Sequence, residues 1–136
     1  MNIGKLIYSV VASDATLVGL IGTRIYPEEA PNSVTYPYIT FSKVRTEPTR
    51  AKNIVSPLDM IKVTFFIYSN NYDTSENVAI ALRNKFDNLR GTYNSINLDW
   101  CIFEDEMTGD PVMEDKIYWI AIDFLFKINR LWELFF

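Results

Sequence analysis

Alternation of apolar residues along two stretches of the chain constrains its fold more than any other feature. In residues 116–129, the alternate positions are occupied by Tyr118, Ile120, Ile122, Phe124, Phe126 and Ile128. Residues 58–68 repeat the pattern with Ile61, Val63, Phe65 and Ile67. A side-chain period of two is typical of a β-strand with one buried face. Both stretches are therefore predicted strands, and the last would extend about 45 Å.

Helical spacing marks two other parts of the chain. In residues 2–12 the apolar residues recur at the spacing of one helix face, and Ser13 offers an N-cap for a short second helix that Gly22 would end. Asp73 with Glu76 resembles a capping box, which predicts a helix from there to about Leu89, ended by Gly91.

Two further strands are predicted, at residues 38–44 and 96–104. The second would place Ile96, Leu98, Trp100 and Ile102 on one face. The prolines in residues 23–36 and 45–57 predict irregular chain in the first segment and a long loop in the second.

This order predicts an α+β fold, a four-stranded antiparallel sheet with an N-terminal helix and one central helix packed on one face. Residues 1–130 would form a single domain, followed by an apolar tail at 131–136. The predicted core comprises Ile3, Leu6, Val10, Ile61, Val63, Phe65, Val78, Leu82, Phe86 and Ile120.

The missing histidine narrows the functional classes. The chain has no histidine and a single cysteine, Cys101, so it lacks the residues for a Ser-His-Asp or Cys-His system and for an imidazole metal site. We expect a buried, unreactive Cys101, no cofactor and no metal. A net charge of -4 argues against broad nucleic-acid binding. The absence of a signal-like start and of a long apolar run predicts a cytoplasmic protein without membrane contact.

The first 90 residues contain two connected motifs. Asp14-Ala15-Thr16-Leu17 leads into Leu20-Ile21-Gly22-Thr23-Arg24-Ile25-Tyr26-Pro27, and Tyr36-Pro37-Tyr38-Ile39 follows about ten residues later. With the strand at 61–68, Tyr72 and Ala81-Leu82, this pattern resembles the phage tail-completion family, whose members join head to tail or act like tail terminators. Residues 131–136, Leu-Trp-Glu-Leu-Phe-Phe, have no counterpart in that pattern.

The resemblance implies a non-enzymatic structural subunit of a tailed phage or prophage. Such subunits form a homo-oligomeric ring, usually six-fold, at the head-proximal end of the tail, where they end the tail tube and join it to the head connector or stopper. DNA would pass through the lumen without specific binding, and the protein would be in the host cytoplasm only during assembly. The alternatives are another small head–tail adaptor or tail-assembly protein, and an enzyme or small-ligand binder, which the missing histidine disfavours.

Three groups of residues are candidates for subunit or partner contacts. A basic group surrounds the predicted long loop, an acidic group begins the segment 104–115, and a third group is scattered. Their members are Lys43, Arg45, Arg50 and Lys52; Glu104, Asp105 and Glu106; and Arg24, Trp132, Phe135 and Phe136.

Each candidate has a plainer interpretation. Both charged groups could be solvated loops, Arg24 could form a salt bridge within its subunit, and the apolar tail could dock on the chain's own helices. If the charged groups do contact other proteins, two arrangements are possible. The basic and acidic groups either pair between neighbouring subunits or face different parts of the particle. In the second case the basic loop faces the connector or tail tube and the acidic one faces the lumen.

Overall fold

The computed structural model describes residues 2–51, 54–111 and 116–130, and for residues 49–51 and 54–57 it describes the backbone only. Three helices and six strands are present in the described residues. In chain order they are α1 (Ile3–Ala12), α2 (Ala15–Ile21), β1 (Ile25–Pro27), β2 (Tyr38–Ala51), β3 (Ile54–Ser69), α3 (Tyr72–Phe86), β4 (Gly91–Tyr93), β5 (Ile96–Thr108) and β6 (Tyr118–Asn129).

The strands form one six-stranded sheet in the order β1-β2-β3-β6-β5-β4. The α+β class is confirmed, but the four-stranded antiparallel sheet is wrong in two respects. Two strands of three residues each, β1 and β4, extend the sheet at its edges, and β1 runs parallel to β2. The sheet curls into a half-barrel. A strand of three residues is too short for the alternation of apolar and polar side chains to be recognised in the sequence.

Helix ends depend on polar side chains that differ from the predicted ones. The side chain of Asp14, and not that of Ser13, caps α2 by accepting a hydrogen bond from the amide of Leu17 at 3.0 Å. Asn71, and not Asp73, caps α3. Helix α3 ends at Phe86.

The two predicted glycine stops have different outcomes. Gly22 follows α2 with a φ of 60°, as expected of a residue that ends a helix. Gly91 does not end α3, because it begins β4, where its φ is 138°.

A cluster of phenylalanines joins the central strands to α3. The ring of Phe65 on β3 lies 5.3 Å from that of Phe86 on α3 and 5.7 Å from that of Phe124 on β6. All ten predicted core residues are buried. The predicted inner face of β3, with Ile61, Val63, Phe65 and Ile67, is therefore confirmed.

Strand β5 departs from its predicted face. Register shifts interrupt its pairing with β6 between Leu98 and Trp100 and again between Phe103 and Asp105. The first shift brings Cys101 into the core and leaves Trp100 and Ile102 half-buried. A β-bulge has this effect because the extra residue reverses which side chains face inward. The expectation of a buried Cys101 is confirmed.

Helix α1 lies between the two edges of the curled sheet. It contacts β4 at one edge, and its Tyr8 packs edge-on against Phe41 of β2 near the other, with ring centroids 5.7 Å apart. Its inward residues, Ile3, Leu6 and Val10 among them, are buried. Together with α3, which packs on β3 and β6, the helix therefore covers the concave side of the half-barrel.

We predict that Phe65→Ala lowers the free energy of unfolding by about 3–5 kcal/mol, because a fully packed ring is lost from between a strand and a helix. Phe66→Ala is the matched control, since Phe66 is half-buried on the opposite face of the same strand. It should cost clearly less. Urea denaturation of both variants measures the difference, and a larger loss for Phe66→Ala would contradict the assigned strand faces.

Candidate interaction surfaces

Arg24 connects the two motifs of the N-terminal half. Its Nε donates a hydrogen bond to the backbone carbonyl of Pro37 at 2.9 Å, and its own carbonyl accepts one from the amide of Ile39 at 3.0 Å. Beside it, Ile25 pairs with Ile39 in the parallel β1–β2 ladder. The Arg24 side chain thus donates a hydrogen bond to a main-chain carbonyl of its own subunit. The plainer expectation had been a salt bridge to a carboxylate of the same subunit. The two motifs form one joint at the sheet edge.

In the basic group, Lys43, Arg45 and the backbone of Arg50 lie on a β-ribbon and not on the predicted loop. Strands β2 and β3 stay paired as far as Ala51 and Ile54, whereas β6 pairs with β3 only from Leu58 onward. The tip of the hairpin therefore extends beyond β6. Arg45, which is 60% exposed, forms an exposed ion pair with Glu47 at 3.5 Å, and Lys43 is also exposed. The side chain of Arg50 and all of Lys52 lie outside the described residues.

The acidic group lies on the extended end of β5. Glu104, Asp105 and Glu106 are exposed there, and Asp105 pairs with Asp123 of β6. The carboxylate of Asp123 accepts a hydrogen bond from the hydroxyl of Thr64 at 2.6 Å. The plainer expectation for these residues was a solvated loop, but β5 continues through them to Thr108. Within the part of the chain that the structure describes, no group of three or more acidic or cysteine side chains could hold a metal ion.

Strand register places the two charged groups on different strands, and only the ribbon tip lies far from the acidic group along the strand direction. Lys43 and Arg45 pair with Val63 and Lys62, and Asp105 lies level with Thr64 through Asp123, so these basic residues lie level with the acidic group. Three strand spacings, about 14 Å, separate β2 from β5. Arg50 pairs with Val55, which lies roughly 30 Å along β3 from Thr64. Among the described residues, no ion pair joins the two groups.

Arg130 is the last residue described before the apolar tail. Its Nε lies 2.7 Å from Oδ2 of Asp59, although the N–H is not aligned for a hydrogen bond. This ion pair fixes the end of β6 beside β3, at the ribbon end of the sheet. The candidates Trp132, Phe135 and Phe136 lie outside the described residues.

An apolar groove opens between α1, α2 and β1. Its volume is about 360 Å³, and its walls are formed mainly by Tyr8, Val11, Ala12, Val18 and Ile25. Tyr8 is 39% exposed and Val18 is 40% exposed. The sequence analysis predicted the two helices but not this groove. We refer to it below as the helix groove.

The outer face of the sheet carries a second apolar surface. Tyr38 and Tyr68 stack there with ring centroids 5.0 Å apart, and Trp119 pairs with Tyr68 across the β3–β6 ladder. These side chains are half-buried. The aromatic residues at alternate positions of residues 58–68 were a signal for this surface.

Among the described residues, no single helix is both long and apolar enough to cross a membrane. The α1–α2 pair, bent by 96°, meets those criteria only in combination.

We predict that Arg24→Met lowers the free energy of unfolding by about 1–2 kcal/mol. The variant keeps the apolar stem and leaves the half-buried carbonyl of Pro37 without its donor. Arg45→Met removes only an exposed ion pair and should change stability by less than about 0.5 kcal/mol. Equal losses in thermal or urea denaturation would contradict the role of Arg24 as the connection between the motifs.

Comparison with known proteins matches both the sequence and the fold. The family model described as "Tail completion protein gp17" matches residues 5–105. A solved chain described as "Virion of native gene transfer agent (GTA) particle" is similar with a TM-score of 0.76 and 15% identity, covering 91% of this chain and 92% of that one. A second solved chain, with a TM-score of 0.54 and 10% identity, covers 93% and 89%.

No match is found among curated protein sequences. The family match spans most of the chain, including both motifs joined by Arg24, the ribbon and α3. At their low identities, the two solved chains show a shared fold. The chain belongs to the tail completion protein gp17 family.

Proposed function

We propose that this protein is a structural subunit of a tailed phage, prophage or phage-like particle. It forms a homo-oligomeric ring, most simply a hexamer, at the head-proximal end of the tail. The ring ends the tail tube and joins the tail to the head connector or stopper protein. The observation that carries this proposal is the family match over residues 5–105. The nearly full-length likeness to a chain from a gene transfer agent virion supports it.

The distribution of charge suits assembly of a ring. A ring requires a heterologous interface, in which one patch of a subunit meets a different patch of the next. Here the basic residues Lys43 and Arg45 lie on β2, and the acidic residues Glu104, Asp105 and Glu106 lie on β5, three strands away across the sheet. We propose that the ribbon, including Arg50 and Lys52, approaches the acidic end of β5 on a neighbouring copy.

The same distribution supports a second arrangement, in which the ribbon and the acidic part of β5 face different parts of the particle. The ribbon would contact the connector or the tail tube. The acidic end would face the lumen, where negative charge repels DNA phosphates and lets DNA pass without specific binding. The protein would then be located in the virion, and in the host cytoplasm during assembly.

A structural role without catalysis fits the side chains of this protein. The chain has no histidine. Burial raises the pKa of the Cys101 thiol well above its usual range, and the nearby Asp87 adds to the effect, so this group is a poor nucleophile. We propose that the protein needs no cofactor. The alternative function is that of another small head–tail adaptor or tail-assembly protein with the same fold.

Labelling of assembled particles tests the proposed location. An antibody to the protein should mark the head-proximal end of the tail in electron micrographs. Native mass measurement of the purified protein should give a closed oligomer, with six copies as the expected number. Label along the whole tail, or loss of the protein from finished particles, would favour the assembly-protein alternative, and a strictly monomeric mass with no particle label would contradict the proposal.

A charge exchange tests whether the basic and acidic ends meet. Arg50→Glu and Glu106→Arg should each weaken oligomer formation, and the double variant should restore it, because opposite charges would again face each other. Asn84→Glu, an exposed position on α3, is the control for added negative charge. Light scattering at low and high salt measures the effect. Loss in both single variants without rescue would contradict direct pairing of these two residues.

A further inference from the structure

The helix groove has no role in the fold described above. Exposed apolar surface on a small protein commonly marks a contact with another protein. The groove is concave and apolar, and its volume of about 360 Å³ matches the lower range of pockets that bind ligands. Two or three large apolar side chains of a short segment would suffice to fill it.

Residues 131–136 of this chain have the chemistry that the groove requires. Five of these six residues are apolar, and the sixth is Glu133. The groove provides an apolar wall at Tyr8 and Val18 and a cation at its lip. Gly22 lines the groove, and Nη1 of Arg24 lies 3.5 Å from the position that a Cβ on Gly22 would take. A carboxylate within an apolar segment is complementary to this arrangement.

The reach of the chain favours the next copy as the donor of the segment. The chain leaves the sheet after Asn129, which pairs with Leu58, whereas the groove residue Ile25 lies level with Ile67, through Ile39. Nine residue steps separate Leu58 from Ile67, which corresponds to about 30 Å. Six extended residues span at most about 22 Å. The segment of the same chain would therefore have to be fully extended to approach even the nearer edge of the groove, where Tyr8 packs against Phe41.

We propose that residues 131–136 of one copy occupy the helix groove of the next copy, with Glu133 beside Arg24. The contact joins two different patches, as a ring requires, and it repeats from copy to copy until the ring closes. The inference rests on the proposed self-assembly of this protein, and it identifies the apolar part of the interface. The charged residues of β2 and β5 then set the orientation of neighbouring subunits.

Disulfide trapping tests the contact directly. Two chains carry one cysteine each, Val18→Cys in one and Trp132→Cys in the other, both in a Cys101→Ala background. After mixing and mild oxidation, non-reducing electrophoresis should show a covalent dimer containing both chains. Ile80→Cys is the matched control, because Ile80 is an exposed apolar residue of α3 outside the groove. Equal trapping at Ile80, or no trapping at Val18, would overturn the proposal.

A chain with both Val18→Cys and Trp132→Cys distinguishes the copies. Contact between copies gives a ladder of covalent oligomers. A monomer whose two thiols have been consumed shows contact within one chain and overturns the proposal.

Substitution in the groove gives a test without cross-linking. Val18→Asp and truncation after Arg130 should each weaken self-association at least tenfold, as measured by sedimentation. Val18→Asp should have no further effect in the truncated chain, because both changes remove the same contact. Ile80→Asp should leave association unchanged. If the variant Val18→Asp still forms rings and the antibody still detects it on tails, the inference fails and the proposed function stands. If the intact chain does not self-associate and the antibody does not detect it on particles, the inference and the proposed function both fail.

Discussion

The packing of Phe65 against Phe86 and Phe124 is the contact on which the rest of the structure depends. It joins β3, α3 and β6, and β3 and β6 are the two central strands of the sheet. Edge-on aromatic contacts add to the apolar area that these rings bury. Because β3 and β6 pair over their full common length, fixing one residue pair between them fixes the register of every other pair.

That register also determines where the candidate surfaces lie. The β2–β3 hairpin extends past one end of β6, and the β5–β6 hairpin turns at the other end. The basic residues of β2 and the acidic residues of β5 lie three strand spacings apart, about 14 Å, which exceeds a Debye length of about 8 Å. Among the described residues no ion pair joins the two groups, so they remain available for partners. The same packing brings α1 against β4 and Phe41, and this leaves the helix groove at its outer side.

The sequence predicted the elements whose side chains repeat regularly over many residues. The regular spacing of apolar residues predicted the inner face of β3, the buried residues of α1 and the position of β6. The prediction failed where tertiary contacts override local rules. Pro48 and Pro57 suggested a loop, yet both belong to a two-stranded ribbon, and proline is tolerated at open edges and at irregularities such as the one after Pro48. The bulge in β5 and the contact of Arg24 with Pro37 depend on residues that only the fold brings together.

Charge and apolar contact would contribute differently to assembly. An exposed ion pair contributes only about 0.2–1 kcal/mol, so the charged residues of β2 and β5 are suited to orienting subunits and to speeding their encounter. Affinity must come from buried apolar area. The helix groove exists only once α1 and α2 have packed beside β1, because its walls come from all three elements. An interface built on that groove would therefore form between folded subunits and would not compete with the folding of the core.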